Sequence, residues 1–157
     1  FGSMITPLTG NEMNFYDLLL PEDPGTVVMN GKEYAWNTWG EILNPPADAQ
    51  IWATYKNEFY AGSPAVTFRK LGKGTITYVG VDSHNGALEK DILKKLYAQL
   101  NIPVMDLPYG VTMEYRNGLG IVLNYSDQPY AFNLPKGAKA LIGTTNIPTA
   151  GVLVFSM

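Results

Sequence analysis

The chain has no cysteine among its 157 residues, which excludes thiol nucleophiles, disulfides and thiolate metal sites and leaves the redox compartment open. Histidine is almost as scarce. With His84 alone, a histidine-rich metal cluster is excluded, and any Ser-His-Asp triad would have to use this one ring. Ser83 precedes it directly and no Gly-x-Ser-x-Gly elbow occurs, so the pair reads as a polar loop or helix cap. Charge is thin as well: eleven basic residues against fourteen acidic ones give a formal charge of -3. No run of lysine or arginine forms a phosphate-binding stripe, and nucleic acid is not an expected partner. Apolar runs such as 151–157 are far too short to span a bilayer, and a membrane is not expected either. The first residues lack the charged-then-apolar pattern of a leader. Phe1-Gly2-Ser3-Met4 reads as a cloning scar before a starting methionine, and residues 1–3 are set aside.

What is present is material for a core. The length suits one ordinary domain or two small ones, without disulfide or metal staples. The stretch 62–80 organises the chain: two β-patterned runs joined by Gly72-Lys73-Gly74, with an amphipathic helix almost immediately after. Those glycines flank a single lysine, whereas a Walker loop needs four residues between its glycines and a Ser or Thr after the lysine, so a hairpin turn is expected and no nucleotide. Ahead of it, 5–25 reads as loop with at most one turn of helix, because Pro21 and Pro24 stop anything longer. Strands are expected at 26–29, 32–43, 48–57, 63–71 and 75–81, with a short helical turn over 38–43, ended by Asn44-Pro45-Pro46, as the alternative in the second, and Asn30-Gly31 supplying a φ-positive hairpin turn. In the third of these, alternation puts Ala49, Ile51, Ala53 and Tyr55 on one face and Gln50, Trp52 and Thr54 on the other. The density of β-branched and aromatic residues in 75–81 predicts an inner strand buried on both faces.

Leu88, Ile92, Leu96 and Leu100 then recur at helical spacing, with Leu93 and Tyr97 widening the stripe, which predicts a helix over 87–100 packed on a sheet. Pro103 and Pro108 bracket a linker at 103–109. Beyond it only short strands and turns follow, at 110–115, 120–124, 130–134, 138–142 and 151–155, the pattern of a small antiparallel β-sandwich or open barrel.

Candidate functional residues are few. Trp36, Trp39 and Trp52, with Tyr55, are the candidates for carbohydrate stacking or an interface, because an indole face packs well on the apolar face of a pyranose. Tryptophan is equally a large core residue whose N–H finds a partner, and that reading outweighs the first. Glu41, Glu58 and Asp82 lie near strand ends, where glycosidase acids can sit. No second acid falls in a recognisable register, so surface or turn carboxylates are the expectation. No metal and no cofactor is expected.

Several segments nevertheless carry a resemblance. Trp39-Gly40-Glu41-Ile42, Ala53-Thr54-Tyr55, the run from Phe59 to Val66, Leu71-Gly72-Lys73-Gly74 and Thr77-Tyr78-Val79-Gly80 resemble the later part of the trimerisation domain of family 42 β-galactosidases. Leu107 to Val111, Glu114-Tyr115-Arg116, Val122 to Ser126, Leu141-Ile142-Gly143 and Gly151 to Val154 resemble the small C-terminal β-domain that follows it. The resemblance covers residues 30–157 in collinear order. It implies an α+β, β-dominated chain: a partial amidotransferase-like (flavodoxin-like) α/β unit with one main helix over 4–102, then a β-sandwich over 110–157. The front half of the α/β unit is missing, which would leave a sheet edge and one sheet face to be covered by the N-terminal segment, the β-domain or another copy of the chain. The resemblance also implies an assembly and support region without catalysis, since the family's catalytic barrel carries both glutamates and no position here matches them. Its expected partner is a second copy of the chain, as a homo-oligomer, or a barrel-containing galactosidase chain. Galactosides are expected ligands only in the alternative reading, a free-standing carbohydrate-binding module built on the tryptophans.

Overall fold

A computed structural model describes residues 5–157, so the residues read as a cloning scar, 1–3, lie outside the described ones. The chain divides into two compact units, the first ending at Pro103 and the second starting at Val104. Both are built mainly of antiparallel strands, with few helices. No helix among the described residues is long and apolar enough to cross a membrane.

The first unit begins with a single helical turn, α1 (Thr6–Thr9), followed by β1 (Glu12–Asp17), β2 (Gly25–Met29), β3 (Lys32–Asn44), β4 (Gln50–Tyr55), β5 (Pro64–Leu71), β6 (Gly74–Val79) and β7 (Val81–Ser83). A 3-10 turn over His84–Gly86 leads into α2 (Ala87–Gln99). The β2–β3 hairpin turns at Asn30 and Gly31, both at positive φ (51° and 77°), as the Asn-Gly pair predicts. The long strand β3 changes neighbours along its length. Its first half pairs with β2 and its last residues with β1, and around Trp36 and Gly40 it also pairs with β7.

That third pairing closes the sheet. Pairings run from β3 through β2, β4 and β5 to β6. The chain then continues through Gly80 into β7, which returns to β3. Gly80 is the seam: its N–H donates to the Ala65 carbonyl at 2.9 Å, and its carbonyl accepts from the Glu41 N–H at 2.6 Å. A Cβ there would sit 3.3 Å from the carbonyl oxygens of Ala65 and Glu41, which favours glycine at the join. The sheet edge expected to need an outside cover is thus met largely by the unit's own backbone. All these pairings are antiparallel.

Inside the closed sheet lies one core of Val27, Met29, Tyr34, Trp36, Ile42, Trp52, Ala53, Tyr55, Ala65, Val66, Phe68 and Val81, with Leu88 and Ile92 from α2. Two links hold α2 to the strands. Asp91 accepts from Lys32 at 2.6 Å and from the Tyr34 hydroxyl at 2.8 Å, and the Lys95 ammonium lies 3.9 Å from the Trp52 ring centroid. Burial pulls the Lys95 pKa down, while the Lys32 and Tyr34 hydrogen bonds hold Asp91 below the usual carboxylate range.

Three local expectations are corrected here. Residues 12–17 are a strand, although Glu-Met-Asn-Phe-Tyr-Asp shows no clean alternation. Its pairing with Gly40–Asn44 makes it one. The run 75–81 is no inner strand: β6 ends the pairing path and is only half-buried, whereas Ala65 to Phe68 in β5 are all buried. β-Branched density reported strand propensity there, not depth. In β4, register breaks between Ile51 and Thr54 undo simple alternation, so Trp52, Ala53 and Tyr55 are all buried while Ile51 is exposed.

The second unit has β8 (Val111–Arg116), β9 (Leu119–Asn124), β10 (Tyr130–Ala131), β11 (Lys139–Ile142), β12 (Asn146–Ile147) and β13 (Gly151–Ser156). They form a four-stranded sheet, β11-β13-β9-β8, and a two-stranded one, β10-β12. Val111, Val122, Phe132, Ile147, Leu153 and Phe155 fill the core. Gly120 stands opposite Phe155, whose ring occupies the space a Cβ would need.

Candidate functional site

Among the described residues no group of three or more His, Asp or Glu side chains is placed to hold a metal ion. The polar constellation that the fold does assemble lies at the far end of β3, around Glu41. Trp39 and Glu41 share one face of the strand, since side chains two apart point the same way. The Trp39 Nε1–H donates to Glu41 Oε1 at 3.2 Å, and the Tyr78 hydroxyl of β6 donates to Glu41 Oε2. Burial, then that hydrogen bond and the Glu41 charge, raise the Tyr78 pKa well above its ordinary value. Tyr16 of β1 stacks on Trp39 with ring centroids 4.6 Å apart.

Glu41 borders two hollows. One, of about 120 Å³, is lined by Thr6, Thr9, Asn11, Met13, Leu43 and Tyr78. In it Asn11 is buried, its Nδ2 donates to Thr67 Oγ1 at 2.8 Å, and its Oδ1 has no protein partner. The other, a more open groove of about 310 Å³, is bordered by Trp39, Val79, Asp82 and Glu89. Of its carboxylates, Glu41 is held by Trp39 and Tyr78, and Glu89 by the Ser83 N–H and hydroxyl. Glu41 and Glu89 are thus structural carboxylates held by neutral donors, while Asp82 is exposed at the rim.

The four aromatic candidates part company. Trp36 is buried in the core, in edge contact with Tyr55 at 5.5 Å. Trp52 is buried too, stacked on Phe68 at 4.6 Å. Tyr55 is buried with its hydroxyl donating to the Glu41 carbonyl at 3.0 Å, and burial, then the Glu41 and Asp17 charges, raise its pKa. Trp39 is half-buried and borders the groove. Glu58 is exposed on the β4–β5 turn, at φ 67°. His84 is exposed in the 3-10 turn, while Ser83 accepts the Leu88 N–H at 3.0 Å and so caps α2.

Sequence reasoning overlooked one feature, a cluster of Phe15, Phe59 and Tyr60. Phe59 stacks on Phe15 with centroids 5.5 Å apart and planes 13° from parallel, and both rings meet Tyr60 edge-on. The Tyr60 hydroxyl donates to Asp17 Oδ2 at 2.6 Å. Two adjacent aromatics in a turn, Phe59-Tyr60, were the available signal.

Residues 1–108 match the family model of the β-galactosidase trimerisation domain, and residues 110–157 that of the β-galactosidase C-terminal domain. The chain belongs to the family 42 β-galactosidases. The match takes in the N-terminal stretch before residue 30, which the motifs had not reached. β-Galactosidase LacA of Lactobacillus acidophilus is 42% identical over 73 residues, covering 46% of this chain and 11% of that protein. β-Galactosidase bgaB of Geobacillus kaustophilus is 30% identical over 115 residues, covering 70% of this chain and 17% of that protein. Among solved structures, the cold-adapted β-galactosidase of Rahnella sp. R3 superposes with a TM-score of 0.81 at 25% identity, over 100% of this chain and 25% of that one. The β-galactosidase of Halorubrum lacusprofundi gives 0.82 at 24% identity, a likeness of fold, over 99% of this chain and 24% of that one. The chain therefore spans a quarter or less of these β-galactosidases. What it spans is their trimerisation and C-terminal region, and the catalytic barrel is not among its 157 residues.

Proposed function

We propose that this region assembles and supports a β-galactosidase and does not itself hydrolyse galactosides. The observation that carries the reading is the two consecutive family matches, trimerisation domain then C-terminal domain, which together account for nearly the whole chain. Its partner in this reading is a second copy of the chain or a chain bearing the catalytic barrel, with 103–109 as the linker between an assembly unit at 4–102 and a β-sandwich at 110–157. The run β5–β6–β7–α2 is the part we read as amidotransferase-like, since there a strand leads into a helix that covers the sheet core. Trp39, half-buried beside the groove, is the aromatic candidate we retain for an interface. Trp36, Trp52 and Tyr55 serve this role indirectly, as core.

Two measurements test the reading. Purified chain is expected to self-associate in light scattering, and a monomer at high concentration counts against assembly. It is also expected to leave a nitrophenyl galactoside intact. Turnover that disappears in Glu41→Gln or Glu58→Gln would replace the reading with an enzyme.

A further inference from the structure

The smaller hollow beside Glu41 draws its polar wall from four parts of the chain: Thr6 and Thr9 of α1, Asn11 just before β1, Glu41 of β3 and Tyr78 of β6. Each of these groups that can donate already donates to a protein acceptor. The Thr6 hydroxyl donates to the Asn11 carbonyl and the Thr9 hydroxyl to the Ile5 carbonyl, both at 3.1 Å. The Asn11 main-chain N–H donates to Thr9 Oγ1 at 3.1 Å, and its Nδ2 to Thr67 Oγ1 at 2.8 Å. The Tyr78 hydroxyl donates to Glu41 Oε2. What remains is a surplus of acceptors. Asn11 is only 6% exposed, and its Oδ1 is the buried oxygen left without a protein partner.

Charge points the same way. Glu41 is half-buried, its partners are the neutral Trp39 N–H and Tyr78 hydroxyl, and none of the ion pairs among the described residues includes it. Arg69, whose Nη1 lies close to Gly10 at the end of α1, is bound to Asp48 at 2.9 Å. A carboxylate drawn partly out of water with no counter-charge, beside an orphaned amide oxygen, carries a desolvation cost that a bound cation offsets. A water molecule would serve the acceptors, but it brings lone pairs for which this wall has little to donate. A cation brings none.

We propose that this cavity is a monovalent-cation site, in which Glu41 supplies the charge and Asn11 Oδ1 a neutral oxygen for a potassium or ammonium ion. One carboxylate balances one positive charge. Calcium takes about six to eight oxygens, several of them from carboxylates, and no group of three acidic or histidine side chains is placed for it among the described residues. A water-sized occupant needs ~10–15 Å³. Both ions are of that size, so a cavity of about 120 Å³ admits either. The ion ties α1 to β3 and β6, which links its binding to the stability of the first unit. The site lies within that unit and does not depend on the assembly reading.

Urea unfolding of the whole chain, followed by tryptophan fluorescence, tests the site at fixed ionic strength. Potassium or ammonium chloride replaces tetramethylammonium chloride stepwise, since the methyl groups of that cation prevent close approach to oxygen. The midpoint is expected to rise and saturate with the small ions, and the one that half-saturates at the lower concentration is the ligand. Glu41→Gln keeps the shape and removes the charge, and is expected to weaken the apparent affinity at least tenfold. Asn11→Asp adds a second carboxylate, with the Thr67 hydroxyl turned to donate to it, and is expected to tighten the affinity at least tenfold. A purely structural Asn11 predicts instead a loss of stability that no ion reverses. Equal midpoints in all three salts, or an ion response that survives in Glu41→Gln, overturn the proposal. Circular dichroism verifies that the variants fold. Should either fail, thallium(I), a potassium mimic, soaked into crystals of the wild-type chain decides: an anomalous peak beside Asn11 and Glu41 supports the site, and a cavity without one overturns it.

Discussion

The Tyr55 hydroxyl donates to the main-chain carbonyl of Glu41 across 3.0 Å, at the place where the sheet of the first unit closes. The Gly80 carbonyl lies 3.4 Å from the same hydroxyl. A side chain that looked like a sugar-stacking candidate is instead a rivet between β4, β3 and the β6–β7 join. Tyr55→Phe keeps the ring against Trp36 and removes only the donor, so it is expected to cost about 1–2 kcal/mol, the range for one buried hydrogen bond. Urea unfolding followed by tryptophan fluorescence measures it. All three tryptophans lie in the first unit, so that signal reports this core alone.

The start of α2 depends on Ser83. Its hydroxyl accepts from the Leu88 N–H, and Glu89 reaches back to the Ser83 N–H at 3.1 Å and to its hydroxyl. This is the reciprocity of a capping box, stretched by the intervening 3-10 turn. Ser83→Ala is expected to lose about 1 kcal/mol, within the range for an N-cap. Glu89→Gln, which can still accept from the N–H, should lose less, and thermal melts compare the two. Equal losses would mean that the Glu89 charge, not the shared geometry, carries the cap.

Asn124 does comparable work in the second unit. Fully buried, it donates through Nδ2 toward the carbonyls of Gln128, Ile147 and Pro148, and its Oδ1 accepts from the Ser126 N–H and hydroxyl. Asn124→Asp conserves shape but loses both donors and sets a carboxylate against three carbonyls. We expect a loss of about 3 kcal/mol or more. Far-ultraviolet circular dichroism should show the second unit melting early, while tryptophan fluorescence keeps its wild-type midpoint.

Alkali should destabilise the first unit. The Tyr34 phenol is pushed from 10.0 to about 12 by burial, by its bond to Asp91 and by the Asp91 charge. Tyr55, Tyr60 and Tyr78 are raised as well, by burial first. A raised folded pKa means that the folded state holds its proton where the unfolded chain has released it. That stability is complete below pH 10.0 and is lost as pH rises through the folded value of about 12 for Tyr34. Urea midpoints measured on either side of the ordinary tyrosine value should fall with pH, and Tyr34→Phe should flatten the slope.

The sequence by itself determined the elements whose signals are local. Asn30-Gly31 marks a hairpin because both residues tolerate positive φ, the leucine spacing marks α2, and regular turns mark the short strands after residue 110. Its scattered motifs also determined the family, because Trp39-Gly40-Glu41 and Gly72-Lys73-Gly74 fall in collinear order with the second-domain segments. Only tertiary structure decided what each side chain does. Residues 12–17 become a strand through hydrogen bonds to residues 40–44, partners distant in sequence that no local period reveals. Register breaks in β4 turn Trp52 and Tyr55 inward together, against alternation, and the return of β7 to β3 buries Trp36 while leaving Trp39 at a groove. Periodicity gives which residues share a face of one element. Which face meets the core depends on how the elements pair, and that pairing made Tyr55 a rivet for Glu41.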